Sequence, residues 1–432
     1  MTPLLRQGYE DFRSFVHPLV ATRAQLSGEP YLMERASEGG LADSEGRRYT
    51  DLLAGWGTQA FGHRPAAVEA AMIAFLQGDT PSFFTSGISP YAGMLAARLH
   101  ARCGYDAAFF ASGGSEAVEA ALKLARAATG KPRIACIAGA YHGCTYGSVA
   151  MMAPGPYRDP FGPHVPQIDA LPFGDLGALE QALADPLLAA IVIEPIQVEA
   201  GMRQHDGAYL ERLCRGTGPN GVLLVADEIQ TGLGRTGHFL ASEHWPRQPD
   251  VVTLGKALGG GAMPLSCMLT RRPIFDRAYG SFALAEVHAS TFSGNGLACV
   301  AGLAALAQLD ADQVAEVARK GRLLRAALEE QVASSPLVKA IRGDGMLLGI
   351  ELVAPDHPCY QFDYLGVPEL AAQPAIGLLL VHRLYKAGYI AQICGHAWQV
   401  LRLQPPYTTP DEELHACVQA IRAALDFLWD LQ

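Results

Sequence analysis

Two residues that could act together on a carbonyl compound each follow a short apolar run of the sequence. Asp227 follows Val222–Ala226, and Lys256 follows Val251–Leu254 after a single glycine. A buried lysine amine can form an imine with an aldehyde, and a buried carboxylate can hold a proton on a ring nitrogen. The pair therefore indicates a site for pyridoxal phosphate (PLP). Taken singly, each residue also suits an exposed lysine or a polar strand end; the glycines around Lys256 favour the cofactor site.

The apolar runs are the elements that must position these two residues. Short apolar runs bounded by turn residues are typical of buried parallel strands, and ligands of open α/β sheets bind at the carboxyl ends of such strands. Similar runs at 107–110, 133–138 and 189–193 are accompanied by helical patterns, for example at 65–77 and 89–102. We therefore predict an α/β fold with a mostly parallel sheet. Elsewhere the pattern predicts a single helix over 1–30, mostly loop with one helix over 145–186, two strands within 338–353 and a helix at about 374–387.

Two longer motifs carry a resemblance to a known family. Residues 227–237 read DEIQTGLGRTG, and residues 253–261 read TLGKALGGG. In this order and spacing the two segments resemble the class III (ω-) aminotransferases, which are PLP enzymes of fold type I. The resemblance extends from about Tyr31 to Pro406. It implies a large domain with a mostly parallel sheet of the seven-stranded type, together with a smaller α+β domain.

The resemblance also sets the expected domain bounds. Residues 60–330 are predicted to form the large PLP-binding domain. Residues 1–59 form an N-terminal segment that joins the small domain, and residues 331–432 form its C-terminal part. A charged helix predicted at 312–334 links the two domains.

Several further residues are predicted to hold the cofactor. A glycine-rich turn leads directly into a strong helix at Gly114 and Ser115, and helix N-termini bind phosphates through unpaired N–H groups. The resemblance implies that these two residues hold the cofactor phosphate, that Tyr141 stacks on the pyridine ring, and that Gln230 lies at the phenolic oxygen of the ring. His142 is either a hydrogen-bonded structural histidine or a catalytic one.

Three residues are candidates for binding the substrate. Arg402 lies inside an apolar strand, where an unpaired charge is costly, and its planar fork suits a carboxylate. The resemblance implies that Arg402 binds the substrate carboxylate, that Glu199 pairs with an arginine of the small domain when no carboxylate is present, and that Trp56 forms a wall of the pocket. A structural salt bridge, a surface acid and a core tryptophan are the respective alternatives. Val198 stands where the family has glycine.

Two other stretches bear on assembly and specificity. The segment around Thr291 resembles the one whose threonine reaches the cofactor phosphate of the neighbouring subunit, which implies a homodimer with shared active sites. Gly296 replaces the proline usual in that motif. Residues 354–373 contain three prolines and form a longer stretch than the family usually has, so we interpret them as a lid or a specificity loop.

The composition excludes several classes of function. The 432 residues carry 33 Lys and Arg against 43 Asp and Glu, a net charge of −10, which argues against nucleic acid or an anionic membrane as partner. The nine cysteines are scattered without a C-x-x-C pair, as expected of reduced thiols in a cytoplasmic protein without a metal framework. Neither a long apolar span nor a signal-peptide pattern is visible.

Together these features predict a PLP-dependent aminotransferase. It would move an amino group from an amino acid or a terminal (ω) amine to a keto acid or aldehyde in a ping-pong reaction, with Lys256 and Asp227 as catalytic residues and Lys256 as general base. A PLP-dependent racemase, aminomutase or decarboxylase of the same fold is the alternative. A nucleotide-binding α/β protein is a third reading, but the G-x-G-x-x-G spacing it requires after the first strand is missing.

Overall fold

A computed structural model describes residues 3–21, 33–37, 40–81, 87–218 and 221–432. These residues form two compact units. The smaller unit comprises the described residues of 1–65 together with 322–342 and 346–432, and the larger comprises those of 66–321 together with 343–345. The domain division given above, with its ends at 60 and 331, stays a prediction.

The strands of the described residues are numbered here in chain order. They are β1 Met33–Ser37, β2 Gly40–Asp43, β3 Arg48–Asp51, β4 Ala107–Ala111, β5 Arg133–Ile137, β6 Ile168–Leu171, β7 Leu188–Ile193, β8 Leu223–Asp227, β9 Val251–Leu254, β10 Ser266–Thr270, β11 Val338–Asp344, β12 Leu347–Leu352, β13 Tyr389–Ile390, β14 Gln392–Cys394 and β15 Ala397–Leu403.

The α-helices lie between these strands and at both ends of the chain. They are Pro3–Asp11, Ala66–Leu76, Pro90–Cys103, Gly114–Thr129, Tyr146–Ala150, Leu176–Leu183, Gly207–Gly216, Arg272–Tyr279, Gly296–Ala307, Ala311–Gln331, Ile376–Lys386 and Asp411–Trp429, and a single helical turn covers Ala54–Gly57. The predicted helices at 65–77, 89–102 and 312–334 are confirmed to within a few residues.

The larger unit is built on a seven-stranded sheet in the order β4-β10-β9-β8-β7-β5-β6. Strands β9, β8, β7, β5 and β6 run parallel, and β10 runs antiparallel to its two neighbours β9 and β4. The predicted mostly parallel sheet is therefore confirmed. Strands β8 and β9 are adjacent, so the two apolar runs that precede Asp227 and Lys256 end side by side.

Helices cover both faces of this sheet, which is why its central strands are apolar without alternation. Every residue of β7 and β8 is buried. Successive residues of β7 point to opposite faces: Val192 belongs to a core cluster with the helix Gly114–Thr129, and Ile191 to one with the helices Leu176–Leu183 and Gly207–Gly216. Each such buried side chain contributes about 1.5–3 kcal/mol.

The smaller unit contains two four-stranded sheets, ordered β1-β2-β3-β13 and β11-β12-β15-β14. Arg402 in β15 stands opposite Gly349 of β12 and Gln392 of β14, so it occupies a central strand. The helices Ile376–Lys386 and Asp411–Trp429 pack against each other. The predicted pair of strands at 338–353 and the predicted helix at 374–387 are both confirmed.

The interpretation of 145–186 as mostly loop with one helix is wrong. This stretch contains two helices and the edge strand β6. Two of its four residues, Asp169 and Ala170, are exposed, so the strand lacks the continuous apolar run that marks β7, β8 and β9. The antiparallel strand β10 was not predicted either. A single helix was expected over 1–30. The structure has an α-helix at Pro3–Asp11, followed by a π-helical turn at Phe12–Val16. Residues 22–30 lie outside the described part.

Within the described residues, no single helix combines the length and the apolar composition needed to cross a membrane. The helices Gly296–Ala307 and Ala311–Gln331 meet that standard only when taken as a pair, and they are bent by 70° relative to each other.

Candidate active site

A cavity of about 180 Å³ in the larger unit opens at the carboxyl ends of β7, β8 and β9. This is the edge at which ligands bind in sheets of this kind. Most of the predicted cofactor residues and one predicted substrate residue line this cavity, namely Gly114, Ser115, Tyr141, Glu199, Asp227, Gln230 and Lys256. Residues far apart in the sequence are therefore brought together by the parallel strand order.

Asp227 is the last residue of β8, and its two carboxylate oxygens have different partners. Oδ2 lies 2.7 Å from His142 Nδ1. Oδ1 accepts hydrogen bonds from Thr253 Oγ1 at 2.9 Å and from the Ile229 N–H at 3.2 Å. These bonds fix the plane of the carboxylate at the cavity wall, because each oxygen is held from a different direction.

His142 is hydrogen-bonded to Asp227 and lines the cavity. Burial by itself would lower the pKa of this imidazole. The hydrogen bond to Asp227 and the charge of that carboxylate outweigh this effect and raise the pKa above its usual value. A cationic His142 would thus stabilise a charged Asp227.

Glu194 is a buried acid at the cavity that sequence reasoning did not assign to the site. It follows β7 directly, as Asp227 completes β8, and this parallel position was the available signal. Burial raises the pKa of Glu194 to about 8, although the charge of His142 acts in the opposite direction. Its Oε1 accepts the Tyr141 N–H at 2.9 Å, so a neutral Glu194 still holds the turn that carries Tyr141.

The helix Gly114–Thr129 begins at the cavity, and glycines make room at its first turn. A Cβ on Gly114 would lie 2.9 Å from Ile229 Cδ1, and one on Gly143 would lie 1.9 Å from Ser115 Oγ. Ser115 Oγ accepts the Cys144 N–H at 3.1 Å. This helix start, with its partial positive charge and close backbone, suits a phosphate group.

Tyr141 and Lys256 stand on turns that follow strands β5 and β9. Lys256 has a φ of +47°, in the left-handed region that non-glycine residues seldom adopt. Backbone strain of this kind persists where the surroundings hold it, often at functional sites. Burial raises the pKa of the Tyr141 phenol, so the ring stays neutral and suited to stacking.

The predicted substrate residues Trp56 and Arg402 lie together in the smaller unit. Arg402 is fully buried; its Nε and Nη2 donate to Gln404 Oε1 at 3.0 and 2.7 Å. The centre of its guanidinium lies 5.0 Å from the centre of the Trp56 ring, within the range of a cation–π contact. Trp56 is 43% exposed, so it is not a core tryptophan of this chain.

Backbone geometry sets the position of Trp56. The residues Ala54, Gly55 and Trp56 all have left-handed φ values, of 49°, 55° and 58°. Asp51 Oδ1 accepts the Ala54 N–H at 2.9 Å and so supports the start of this turn. Nothing in the sequence pattern signals such a turn, because Ala and Trp are poor left-handed residues.

The remaining positions singled out in the sequence are Thr291, Val198, Gly296 and residues 354–373. Thr291 is exposed and lines a different cavity of the larger unit, of about 720 Å³. Val198 is buried and lines the first cavity. Gly296 opens a helix whose preceding residue, Asn295, accepts the Ala298 N–H at 2.9 Å. Residues 354–373 include two short 3₁₀ turns.

These residues fit PLP. A lysine that can hold an aldehyde, a carboxylate backed by a histidine, and a helix start widened by glycines all border one cavity. The chemistry of each group matches one end or side of that cofactor. The side chains and backbone groups that would hold the cofactor lie together around this one cavity.

The sequence profile described as aminotransferase class III matches residues 23–425. Because this match covers most of the chain, the protein belongs to the class III aminotransferase family. It is a PLP-dependent aminotransferase of fold type I, and the racemase, aminomutase and decarboxylase alternatives are not favoured.

Two named relatives support this assignment. The chain is 36% identical over 406 residues to an acetylornithine aminotransferase from Mycolicibacterium smegmatis, covering 92% of this chain and 95% of that protein. It is also 36% identical over 356 residues to the aminotransferase PigE from a Serratia species. That second match covers 81% of this chain but only 41% of PigE, so the chain spans less than half of that relative's length.

Two solved structures have the same fold. The ornithine aminotransferase from Toxoplasma gondii ME49 matches with a TM-score of 0.86 and 27% identity, covering 99% of this chain and 96% of that one. An amine transaminase from an uncultivated Pseudomonas species, solved in its PLP-bound form, matches with a TM-score of 0.83 and 28% identity. This second match covers 96% of this chain and 98% of that structure.

Proposed function

We propose that the enzyme moves an amino group from a terminal (ω) amine or an amino acid to a keto acid or aldehyde, in two half-reactions at one site. The observation that carries this proposal is the placement of Asp227 and Lys256 at the ends of the adjacent strands β8 and β9, in the wall of one cavity. Two unlike substrates would then use the same amine and the same carboxylate in turn.

In this proposal Lys256 is the catalytic base. Its amine would hold the cofactor through the aldehyde group. With a substrate amine bound, Lys256 Nζ would be the base that takes the proton from the amino-bearing carbon of the substrate and later gives it up, a transfer that typically contributes roughly 10²–10⁴-fold in rate. The cofactor, when bound, supplies a ring that accepts the electron pair left on that carbon.

Asp227 is proposed to keep the ring nitrogen protonated. Its carboxylate is held from both sides, by His142 on Oδ2 and by Thr253 on Oδ1, and so presents a fixed acceptor to that nitrogen. Gly114 and Ser115 would bind the phosphate through the helix start, Tyr141 would stack on the ring, and Gln230 would lie at the phenolic oxygen. All of these residues border the same cavity.

The proposed substrate selection rests on Glu199 and Arg402. Glu199 would pair with Arg402 when the substrate end is neutral or carries an amine, and would release it when a carboxylate arrives. The names of the relatives support an amine on a flexible chain, since they act on acetylornithine, ornithine or an amine. The second substrate would be a small keto acid such as 2-oxoglutarate or pyruvate, which brings the carboxylate.

We further propose a cytoplasmic homodimer with shared active sites. Thr291 would reach the cofactor phosphate of the neighbouring subunit. The surface around it supports such an interface, because Phe282, Val287 and Phe292 are exposed large apolar side chains within one stretch, and clusters of this kind are usual at contact surfaces. The net charge of −10 favours small-molecule substrates over nucleic acid or a membrane surface.

A half-reaction experiment tests the proposed function. PLP-loaded enzyme is mixed with an amine donor alone, and the absorbance of the aldehyde form of the cofactor is followed. We expect conversion to the amine form, and its reversal on adding a keto acid. Lys256→Ala should convert far more slowly. The proposal would be contradicted if no donor converted the cofactor of the wild-type enzyme to its amine form while the enzyme still racemised or decarboxylated an amino acid.

A further inference from the structure

A short loop carries two of the residues that line the cavity, and a pair of backbone hydrogen bonds between Gln197 and Arg203 closes it. The Gln197 N–H donates to the Arg203 carbonyl at 2.9 Å, and the Arg203 N–H donates to the Gln197 carbonyl at 3.2 Å. Between them, Val198 and Glu199 reach the cavity. Met202, just before Arg203, has a φ of +58°. The loop is thus a strained turn whose shape depends on what holds its ends.

The side chain of Arg203 joins this loop to the turn that precedes Tyr141. Its Nη2 donates to the Ala138 carbonyl at 2.9 Å and to Gln197 Oε1 at 2.6 Å. Gln197 Nε2 in turn donates to the Ile137 carbonyl at 3.2 Å. One guanidinium therefore bridges two segments that both line the cofactor cavity.

The turn before Tyr141 is shaped to admit this guanidinium. A Cβ on Gly139 would lie 2.1 Å from Arg203 Nη2 and 3.3 Å from the Ala200 Cβ. Gly139 also has a φ of +91°, so both the space and the backbone conformation require glycine. Any larger residue would push the guanidinium out of its contacts.

A column of rings supports Arg203 from the other side. Its guanidinium lies 4.3 Å from the centre of the Phe173 ring. The Phe173 and His205 rings are stacked at 4.2 Å, and the His205 and Tyr209 rings at 4.3 Å. Tyr209 belongs to the helix Gly207–Gly216 and is buried. The column connects the guanidinium to the core under the sheet.

His205 remains neutral in this column. Burial lowers its pKa to about 4, and the positive charge of Arg203 acts in the same direction, while Asp206 opposes it. A neutral imidazole between two rings adds no repulsion to the guanidinium next to Phe173. The stack is therefore compatible with the charge of Arg203 over the working pH range.

We infer that Arg203 is a positioning residue that holds the Glu199 loop in fixed register with the Tyr141 turn. Glu199 then responds to different substrates by moving its side chain against a fixed backbone. Arg203 itself touches neither substrate nor cofactor in this arrangement. The inference rests on the proposed role of Glu199 in separating carboxylate-bearing from carboxylate-free substrates.

The test compares Arg203→Met with Glu199→Gln and with the double variant. Methionine keeps an unbranched, flexible side chain, but it is shorter and lacks the guanidinium donors. The selectivity ratio is defined as kcat/KM for a carboxylate-free amine divided by kcat/KM for an amine with a terminal carboxylate, each from a single half-reaction. Arg203→Met should change this ratio roughly fivefold to tenfold, since charge-assisted hydrogen bonds are lost. In the Glu199→Gln background it should change the ratio by less than about twofold.

Hydrogen exchange gives a readout that does not depend on turnover. In the cofactor-free protein, the peptide covering 197–203 should exchange roughly tenfold faster in Arg203→Met than in wild type, because local opening becomes easier. Arg133→Met is the matched control. Like Arg203, Arg133 bridges two segments, here through the carboxylates of Asp169 and Asp185. It lies at the other end of β5, so neither the ratio nor this peptide should change.

The outcomes separate the inference from the proposed function. If Glu199→Gln alone leaves the ratio unchanged, the proposed role of Glu199 fails and the inference fails with it. If Glu199→Gln shifts the ratio but Arg203→Met does not, only the inference is overturned. Unchanged exchange in Arg203→Met, or an equal effect of that substitution with and without Glu199→Gln, would overturn it as well.

Discussion

The chemistry of the site depends on how one buried carboxylate is held. Asp227 Oδ2 lies at 2.7 Å from His142, and Oδ1 accepts from Thr253 and from a backbone N–H. The neighbouring acid Glu194 has a pKa raised to about 8 by burial, so it is largely uncharged at neutral pH. Burial thus gives Glu194 a role different from that of Asp227, whose carboxylate is held at the cavity wall by a histidine and a threonine.

Asp227→Asn should separate these roles. The amide keeps the shape but loses the charge that would hold the ring proton, so kcat at pH 7 should fall by roughly 10²–10³-fold. Glu194→Gln is the comparison, and it should lower kcat far less at this pH because it replaces a group that is already uncharged. Steady-state kinetics of both variants measures this, and equal losses would contradict the separate roles of the two acids.

Arg402 gives a second prediction at the residue scale. Arg402→Ala should raise the KM of the keto-acid substrate roughly 10–100-fold, since a charge-assisted contact contributes about 1.5–3 kcal/mol. The half-reaction with a carboxylate-free amine should change little. Arg402→Lys keeps the charge without the fork and should lie between the two. If keto-acid use survives intact in Arg402→Ala, the carboxylate is bound elsewhere.

At the scale of elements, the sequence allows these parallel strands to be predicted because they are continuously apolar and bounded by turns. Strands β7, β8 and β9, with the helix at Gly114, follow from patterns alone, and they suffice to bring Asp227 and Lys256 together. The short strand β6 and the antiparallel β10 lack such a pattern. The left-handed turn at Trp56 and the partner of Asp227, His142, depend on tertiary contacts, which local sequence does not express.

The column of stacked rings next to Arg203 makes the stability of the folded protein depend on pH. The folded-state pKa of His205 is lowered to about 4 from a reference of 6.5. Between these values the unfolded chain binds a proton that the folded chain does not, so stability falls as pH drops from 6.5 towards 4. The total loss is about 3 kcal/mol.

His205→Phe should remove this loss and keep the stack. The urea midpoint of wild type should decrease from pH 7 to pH 4 more steeply than that of the variant. The unfolding transition is followed by circular dichroism at several pH values in that range. Parallel curves for the two proteins would show that His205 is protonated in the folded state and is not held neutral by burial.

At the scale of the whole molecule, the proposed dimer links the surface stretch around Thr291 to the active site. Thr291 is exposed in a single chain and lines a cavity other than the one that holds Asp227 and Lys256. Its proposed role therefore requires a second subunit. The resemblance of the motif around Thr291 to that of the family predicts such a dimer. The fold of a single chain accounts only for the residues that line its own cofactor cavity.

Thr291→Ala should weaken retention of PLP during dialysis, because one donor to the phosphate is lost, and leave the KM of the keto acid nearly unchanged. Thr291→Ser should restore retention. Light scattering should report a dimer for wild type at assay concentrations. A fully active monomer, or an alanine variant that retains PLP as wild type does, would rule out a shared phosphate site.

Reduction of the PLP-loaded enzyme with borohydride, followed by peptide mass spectrometry, tests most directly whether Lys256 holds the cofactor. We predict a stable cofactor adduct on the peptide that contains Lys256, and its loss together with the visible absorbance in Lys256→Ala. An adduct on a different lysine, or a wild-type enzyme that catalyses transamination without any adduct at this position, would contradict the assignment.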